Sequence, residues 1–307
     1  MNSTRIFLEF LLFPGLLFTA AAGLLTSWVD RKVTAMVQMR VGPPLLQPFY
    51  DLRKYFIKET CVPAGGATGL FLLAPLIGFA GVILASMILW RSIISLETTF
   101  VGDLIVLIYL LMMPALGVVL GAFASRNPLA SIGGSREIKL MMAYELPLVL
   151  VVLVPVIQAG SIRLGDLFAH TPAVSVSGVL ALLCGIACVQ AKLTIVPFDM
   201  PEAETELSGG VFIEYSGAPL GVFKLTRAMM LFTLPVLLAV LFFGGVITAP
   251  GVAGKLWGLL IWFVLVALTV VIRNPTPRVR TDQAVKLFWG PVSLVALLAV
   301  VLAYLGY

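Results

Sequence analysis

APLGVFKLTRAMMLFTLPVLLAVLFFGG, residues 218–245, decides what kind of molecule this is. After Arg227 the stretch is uncharged to its end, and roughly 20 mainly apolar residues are enough for a helix to cross about 30 Å of hydrocarbon. It has no alternation of apolar and polar residues, so a lipid-facing β-strand is excluded and a closed helix is the remaining way to satisfy its backbone. Seven further runs match it in length and character: 6–29, 70–90, 103–123, 138–158, 175–197, 256–272 and 284–305. Only 11% of the 307 residues are charged, where soluble domains carry about 25%. The fold class is therefore all-α: a polytopic membrane protein of eight transmembrane helices, one helical domain over 1–307. The first apolar run is too long for a signal-peptide core of roughly 7–15 residues.

The bases set an orientation. Sixteen of the twenty, from Arg31 and Lys32 through Arg136, Lys192 and Arg227 to Lys286, fall in or beside connections one, three, five and seven; Arg5, Arg91, Arg163 and Lys255 lie at the other end. The positive-inside rule then predicts cytoplasmic odd loops, both termini outside, and a location in the cytoplasmic (inner) membrane. The net charge of +5 is explained by insertion, and no nucleic-acid partner is expected because the bases have no interleaved aromatics. Cys61, Cys184 and Cys188 cannot form a disulfide framework, and with the lone His170 they offer no metal site. No nucleotide loop or catalytic triad is visible, so any redox centre is expected on a partner.

Three loops carry charge in unusual places. In loop one, Leu45, Phe49, Leu52 and Phe56 share a face at helical spacing with Lys54 and Lys58 opposite, which predicts an amphipathic interfacial helix. Gln38, Arg40 and a rigid Gly42-Pro43-Pro44 turn precede it, which favours a docking platform for a cytoplasmic partner over a surface helix that only plugs the bundle. Loop three leads into a helix carrying Arg136, Glu137 and Glu145. Glu145 falls about 12 Å beyond Glu137 along that helix, at membrane depth, where a carboxylate is a functional candidate; a pair with Lys224 or Arg227 is its structural alternative. Just upstream of the opening stretch, FDMPEAETELSGGVFIEYSG (198–217) gathers Asp199, Glu202, Glu204, Glu206 and Glu214 with no base among them. If 201–208 is helical, Glu202 and Glu206 share a face, and mutual repulsion with partial burial raises their proton affinity. With Lys224 and Arg227 one turn apart at membrane depth, the pattern predicts a lateral charge relay.

These residues resemble a known family. QMRVGP (38–43), QPFYD (47–51) followed by KYFIKE, YELP (144–147), PFDMPEAETEL (197–207) and EYSG (214–217) look like the ion-conducting membrane subunit that joins the peripheral and membrane arms of respiratory complex I and of energy-converting nickel–iron hydrogenases. The resemblance covers most of the chain and its acidic motif is highly specific. It implies that Glu145, Asp199, Glu202, Glu204, Glu206 and Glu214 link the arm interface to the ion path. It also implies that Arg40, Gln47 and Asp51, with Gln38, Arg136 and Glu137, lie at the peripheral-arm interface. Only Pro44 separates GP from LLQP, a shorter turn than in complex I, and Leu140, Ala143 and Arg227 replace a Gln, a Ser and a Glu. REIKLMMAYE and KLTRA are more similar to the hydrogenase branch. The resemblance thus implies a membrane-anchoring, H+ or Na+ translocating subunit of a group 4 type hydrogenase complex, with a quinone-binding complex I type subunit as the alternative. Its partners would be hydrogenase large and small subunits, holding the nickel–iron centre and iron–sulfur clusters, and antiporter-like membrane subunits.

Overall fold

In the computed structural model, which describes residues 3–249 and 251–307, the described residues are helical or irregular, with no strand; the side chains of 3–6, 98, 204 and 205 lie outside the description. The helices are α1 (Ser3–Leu11), α2 (Leu16–Val37), α3 (Gln47–Ile57), α4 (Thr68–Ile94), α5 (Asp103–Leu110), α6 (Met113–Ala124), α7 (Pro128–Ala159), α8 (Leu164–Phe168), α9 (Val176–Lys192), α10 (Glu204–Leu207), α11 (Gly217–Ile247), α12 (Val252–Arg273), α13 (Thr281–Leu287) and α14 (Ser293–Tyr304). Among the described residues, seven stretches are long and apolar enough to cross a membrane, and α9 is a shorter apolar helix. These make up the eight apolar helices expected. At 17 residues, α9 is about 26 Å long, just under the hydrocarbon thickness.

The helix ends follow local chemistry. Pro128 sits in the first turn of α7 and the Asn127 side chain accepts from the Leu129 N–H, a strong start signal. Gly160, at φ 64°, ends the same helix in the left-handed conformation that glycine adopts most easily. Between these signals α7 runs 32 residues, about 48 Å, and begins well before the apolar run that predicts it. Arg136 and Glu137, which precede that run, therefore belong to the same helix as Glu145. Likewise α2 continues to Val37, which places Asp30 and Arg31 on a rigid extension of the first span.

Helix α11 is the axis of the bundle. It is buried along most of its length and packs against α2, α4 and α12, while α7, α9 and α14 form a second group beside it. Close approach to α2 depends on Gly23, where a Cβ would lie 2.7 Å from the Ala228 carbonyl oxygen. The amphipathic helix appears as α3, lying against α11 and α2. Phe49 and Leu52 turn toward the core while Phe56 stays exposed.

Candidate functional site

The sixteen-base end of the bundle is held together by ion pairs between connections far apart in sequence. Arg31 of α2 donates to Asp51 of α3 at 2.7 Å, and Gln47 donates to the other Asp51 oxygen at 2.9 Å. Partial burial pushes the Asp51 carboxyl up, but the Arg31 and Gln47 hydrogen bonds and the charges of Arg31 and Lys54 outweigh it and leave the group below its ordinary value. Asp30 pairs with Arg273 at the end of α12, 3.1 Å away. Gln38 receives from Arg40 and donates to Asn274 at 2.9 Å, tying the first and seventh connections. Beyond them Met39 and Val41 are 94% and 99% exposed, an apolar tip projecting from the platform.

The acidic stretch 198–217 has a different structure from the expected helix over 201–208. Only the single turn α10, Glu204–Leu207, forms, because the backbone leaves helical geometry on both sides of it, at Ala203 (φ 14°, ψ 63°) and at left-handed Ser208 (φ 52°), and the chain loops back so that Val211 N–H reaches the Pro201 carbonyl. Gly210, at φ 54°, permits this: a Cβ there would sit 2.0 Å from the Pro201 oxygen. Glu202 and Glu206 consequently do not share a face.

The expected repulsion among the acids is also absent, since each described acid is matched by a base or amide from elsewhere. Arg278, in the chain between α12 and α13, grips Asp199 with both arms of its guanidinium, at 2.7 and 2.5 Å, the bidentate geometry of a strong charge-assisted pair. Arg136 of α7 donates to Glu206 at 2.6 Å. That hydrogen bond, then the Arg136 charge, hold the Glu206 carboxyl below its ordinary value, opposite to the shift expected from crowding. Asn127 donates to Glu214 at 2.6 Å, and Glu214 lies ahead of α11 rather than within it. Glu202 receives Arg227, with Lys224 3.7 Å from its other oxygen. Glu204 opens α10, and its side chain is outside the described residues.

Glu145 is paired as the structural alternative suggests, but with neither candidate partner. Its base is Lys192, the last residue of α9, at 3.0 Å. Lys192 is a functional candidate that loop-by-loop reading misses; the available signal was a cation closing an otherwise apolar helix. Glu137 is also misplaced by the sequence reading: it is buried on α7, only 2% exposed, and so cannot touch a peripheral arm. A helix phase explains it, because Glu137, Leu140, Ala143 and Tyr144 all face inward.

Two cavities meet at this site. The larger, about 450 Å³, opens between α2, α3 and α11 and is lined by Asp30, Arg31, Asp51, Lys54, Lys58, Lys224, Arg227 and Arg273, with Leu24, Leu52 and Leu231 among its apolar walls. The smaller, about 60 Å³, is bordered by Glu137, Lys192, Glu202, Lys224 and Arg227. It exceeds the roughly 10–15 Å³ that a water needs, and its walls supply polar partners for one. Lys224 and Arg227, with Leu193, belong to both linings and form the partition between them. The same two bases hold Glu202. From there the chamber leads to Lys192 and its partner Glu145.

A family model described as NADH dehydrogenase matches residues 9–304. The chain belongs to the NADH dehydrogenase family. Among its relatives is a subunit of the NADH-quinone oxidoreductase of Brevibacillus brevis, 34% identical over 97% of this chain and 94% of the relative. The corresponding NADH-quinone oxidoreductase protein from Anoxybacillus flavithermus is 35% identical over 87% and 84% of the two chains. A solved structure of similar shape is that of the membrane-bound sulfane sulfur reductase, an archaeal respiratory membrane complex; it is 26% identical with a TM-score of 0.84, covering 97% of this chain and 99% of the other. As a member of the NADH dehydrogenase family, the chain is a multi-pass membrane subunit related to complex I. The hydrogenase branch inferred from REIKLMMAYE and KLTRA finds no named counterpart among these relatives, whereas the quinone-linked alternative does.

Proposed function

We propose that this chain is the membrane subunit of a complex I type quinone oxidoreductase, seated beneath a peripheral arm at the cytoplasmic face. In this role it passes charge displacement sideways into an ion path. The observation that carries the reading is the shared partition: Lys224 and Arg227 line both the 450 Å³ cavity and the chamber that holds Glu137 and Glu202. A quinone head entering the cavity from the bilayer side, past Leu24 and Leu231, would stand among these bases. Its reduction adds negative charge where cations are held, and the low dielectric there strengthens the response. Arg227 would then loosen its hold on Glu202, and a proton could pass by way of the chamber and Lys192 toward Glu145. The platform residues Gln38, Arg40, Gln47, Asp51 and Arg136, with exposed Met39 and Val41, provide the polar and apolar contacts that an arm would use.

A second reading keeps the relay but assigns a different oxidoreductase, of hydrogenase or sulfur-reducing type, to the arm. It is favoured by the lining of the large cavity, where six bases outnumber two acids, a poor match for a neutral quinone head. Titration of the purified complex with a membrane quinone separates the readings. Under the first, quinone is reduced and Leu52→Trp, which intrudes on the cavity from α3, lowers that rate by about tenfold or more. Absence of quinone reduction by the wild-type complex would refute the first reading and leave the second.

A further inference from the structure

Glu137 stands apart from the other acids at this site. It is buried, its Oε2 has no hydrogen-bond partner among the described residues, and yet it borders the chamber together with Lys192, Glu202 and Arg227. The bases that border the chamber are already engaged, Lys192 with Glu145 and both Lys224 and Arg227 with Glu202. A buried carboxyl without a cation keeps its proton, since the neutral form is the one that tolerates loss of water. A purely structural acid at this position would gain nothing over leucine or glutamine, because nothing in the described structure satisfies the oxygen it buries.

We infer that Glu137 is a proton store for the relay, exchanging its proton with Glu202 as Arg227 switches partners. In the resting arrangement Glu137 is neutral and the Glu202 carboxylate is held by Arg227 and Lys224. When Arg227 turns from Glu202 toward Glu137, the Glu137 O–H bond breaks and its proton crosses the chamber to a Glu202 oxygen. Glu137 is then the carboxylate paired with Arg227, and Glu202 is the neutral acid. The number of protons and the total charge are unchanged, so the exchange needs no other reactant. Return of Arg227 reverses it. The chamber has room for the water that would bridge the two carboxyls, and the same Arg227 is exposed to whatever enters the large cavity.

This assignment rests on the relay reading, and the test separates the two. Infrared difference spectra between oxidised and reduced states of the assembled complex should contain a carboxylic-acid carbonyl band. That band should be lost in Glu137→Gln and shifted, not lost, in Glu137→Asp. In proteoliposomes Glu137→Gln should lower the ions moved per electron by about tenfold or more, with recovery in Glu137→Asp. A Glu137→Gln spectrum identical to wild type overturns the proposal. If Glu202→Gln uncouples while Glu137→Gln pumps normally, the relay stands and the role of Glu137 falls; if both pump normally, both fall. Should Glu137→Gln fail to assemble, Glu137→Asp decides alone: an unshifted band rules the proposal out.

Discussion

Removing the Lys192 ammonium leaves the Glu145 carboxyl facing the bundle without its base, and breaking a buried pair in this way costs more than replacing both partners. The Lys192 side chain is 2% exposed and that of Glu145 22%. Lys192→Met is therefore expected to destabilise the protein by about 3 kcal/mol, with Glu145→Gln/Lys192→Met recovering more than half of that loss. Thermal unfolding in detergent of the two single variants and the double variant checks this, and strictly additive losses would rule out the pair. Asp51 gives a pH-dependent case. Its folded carboxyl lies below the ordinary value of 3.8, so its contribution is fully present above that pH and is lost as pH falls through the lower folded value. Amide exchange in α3 should rise over that acid range in the wild type. In Asp51→Asn it should already be fast at neutral pH, with the acid dependence gone; equal protection of α3 in both proteins would contradict the clamp.

At the scale of elements, what was legible was what depends on neighbours close in sequence. Apolar length marked every span, and the spacing of Leu45, Phe49, Leu52 and Phe56 marked α3, although Leu45 falls ahead of its first residue, Gln47. The boundaries moved where polar residues ride on a helix that extends beyond the lipid: Arg136 and Glu137 on α7, Asp30 and Arg31 on α2. Hydropathy ends a span at its charges, whereas a helix ends at its caps, here Asn127 and Gly160. The acidic stretch stands out in the sequence, yet crowding is not what shapes it in the fold. Its lack of bases is a property of the sequence only, because Arg278, Arg136 and Arg227 arrive from three other elements. The Lys192–Glu145 pairing was illegible for the same reason, being set by how α7 and α9 are brought together, whereas the phase of Glu137 with Leu140 and Tyr144 on one helix face is a local signal.

Across the whole molecule, membrane packing places a row of paired charges along one end of the bundle and leads it inward at one point. That point is the partition of Lys224 and Arg227, with the basic cavity on one side and Glu137, Glu202 and Lys192 on the other. Such an arrangement costs insertion energy wherever a charge lies below the headgroups, and proton or ion coupling is a function that requires it. Since the described acids of the 198–217 stretch are individually paired, the coupling proposed for this chain works by exchanging partners and not by mutual repulsion. The key residue is then Glu202, which both partition bases hold. The most direct measurement is the number of ions moved per electron by the complex reconstituted in liposomes with Glu202→Gln in this subunit. The account predicts that electron transfer persists while ion movement falls by about tenfold or more, and an unchanged ratio of ions to electrons would contradict it.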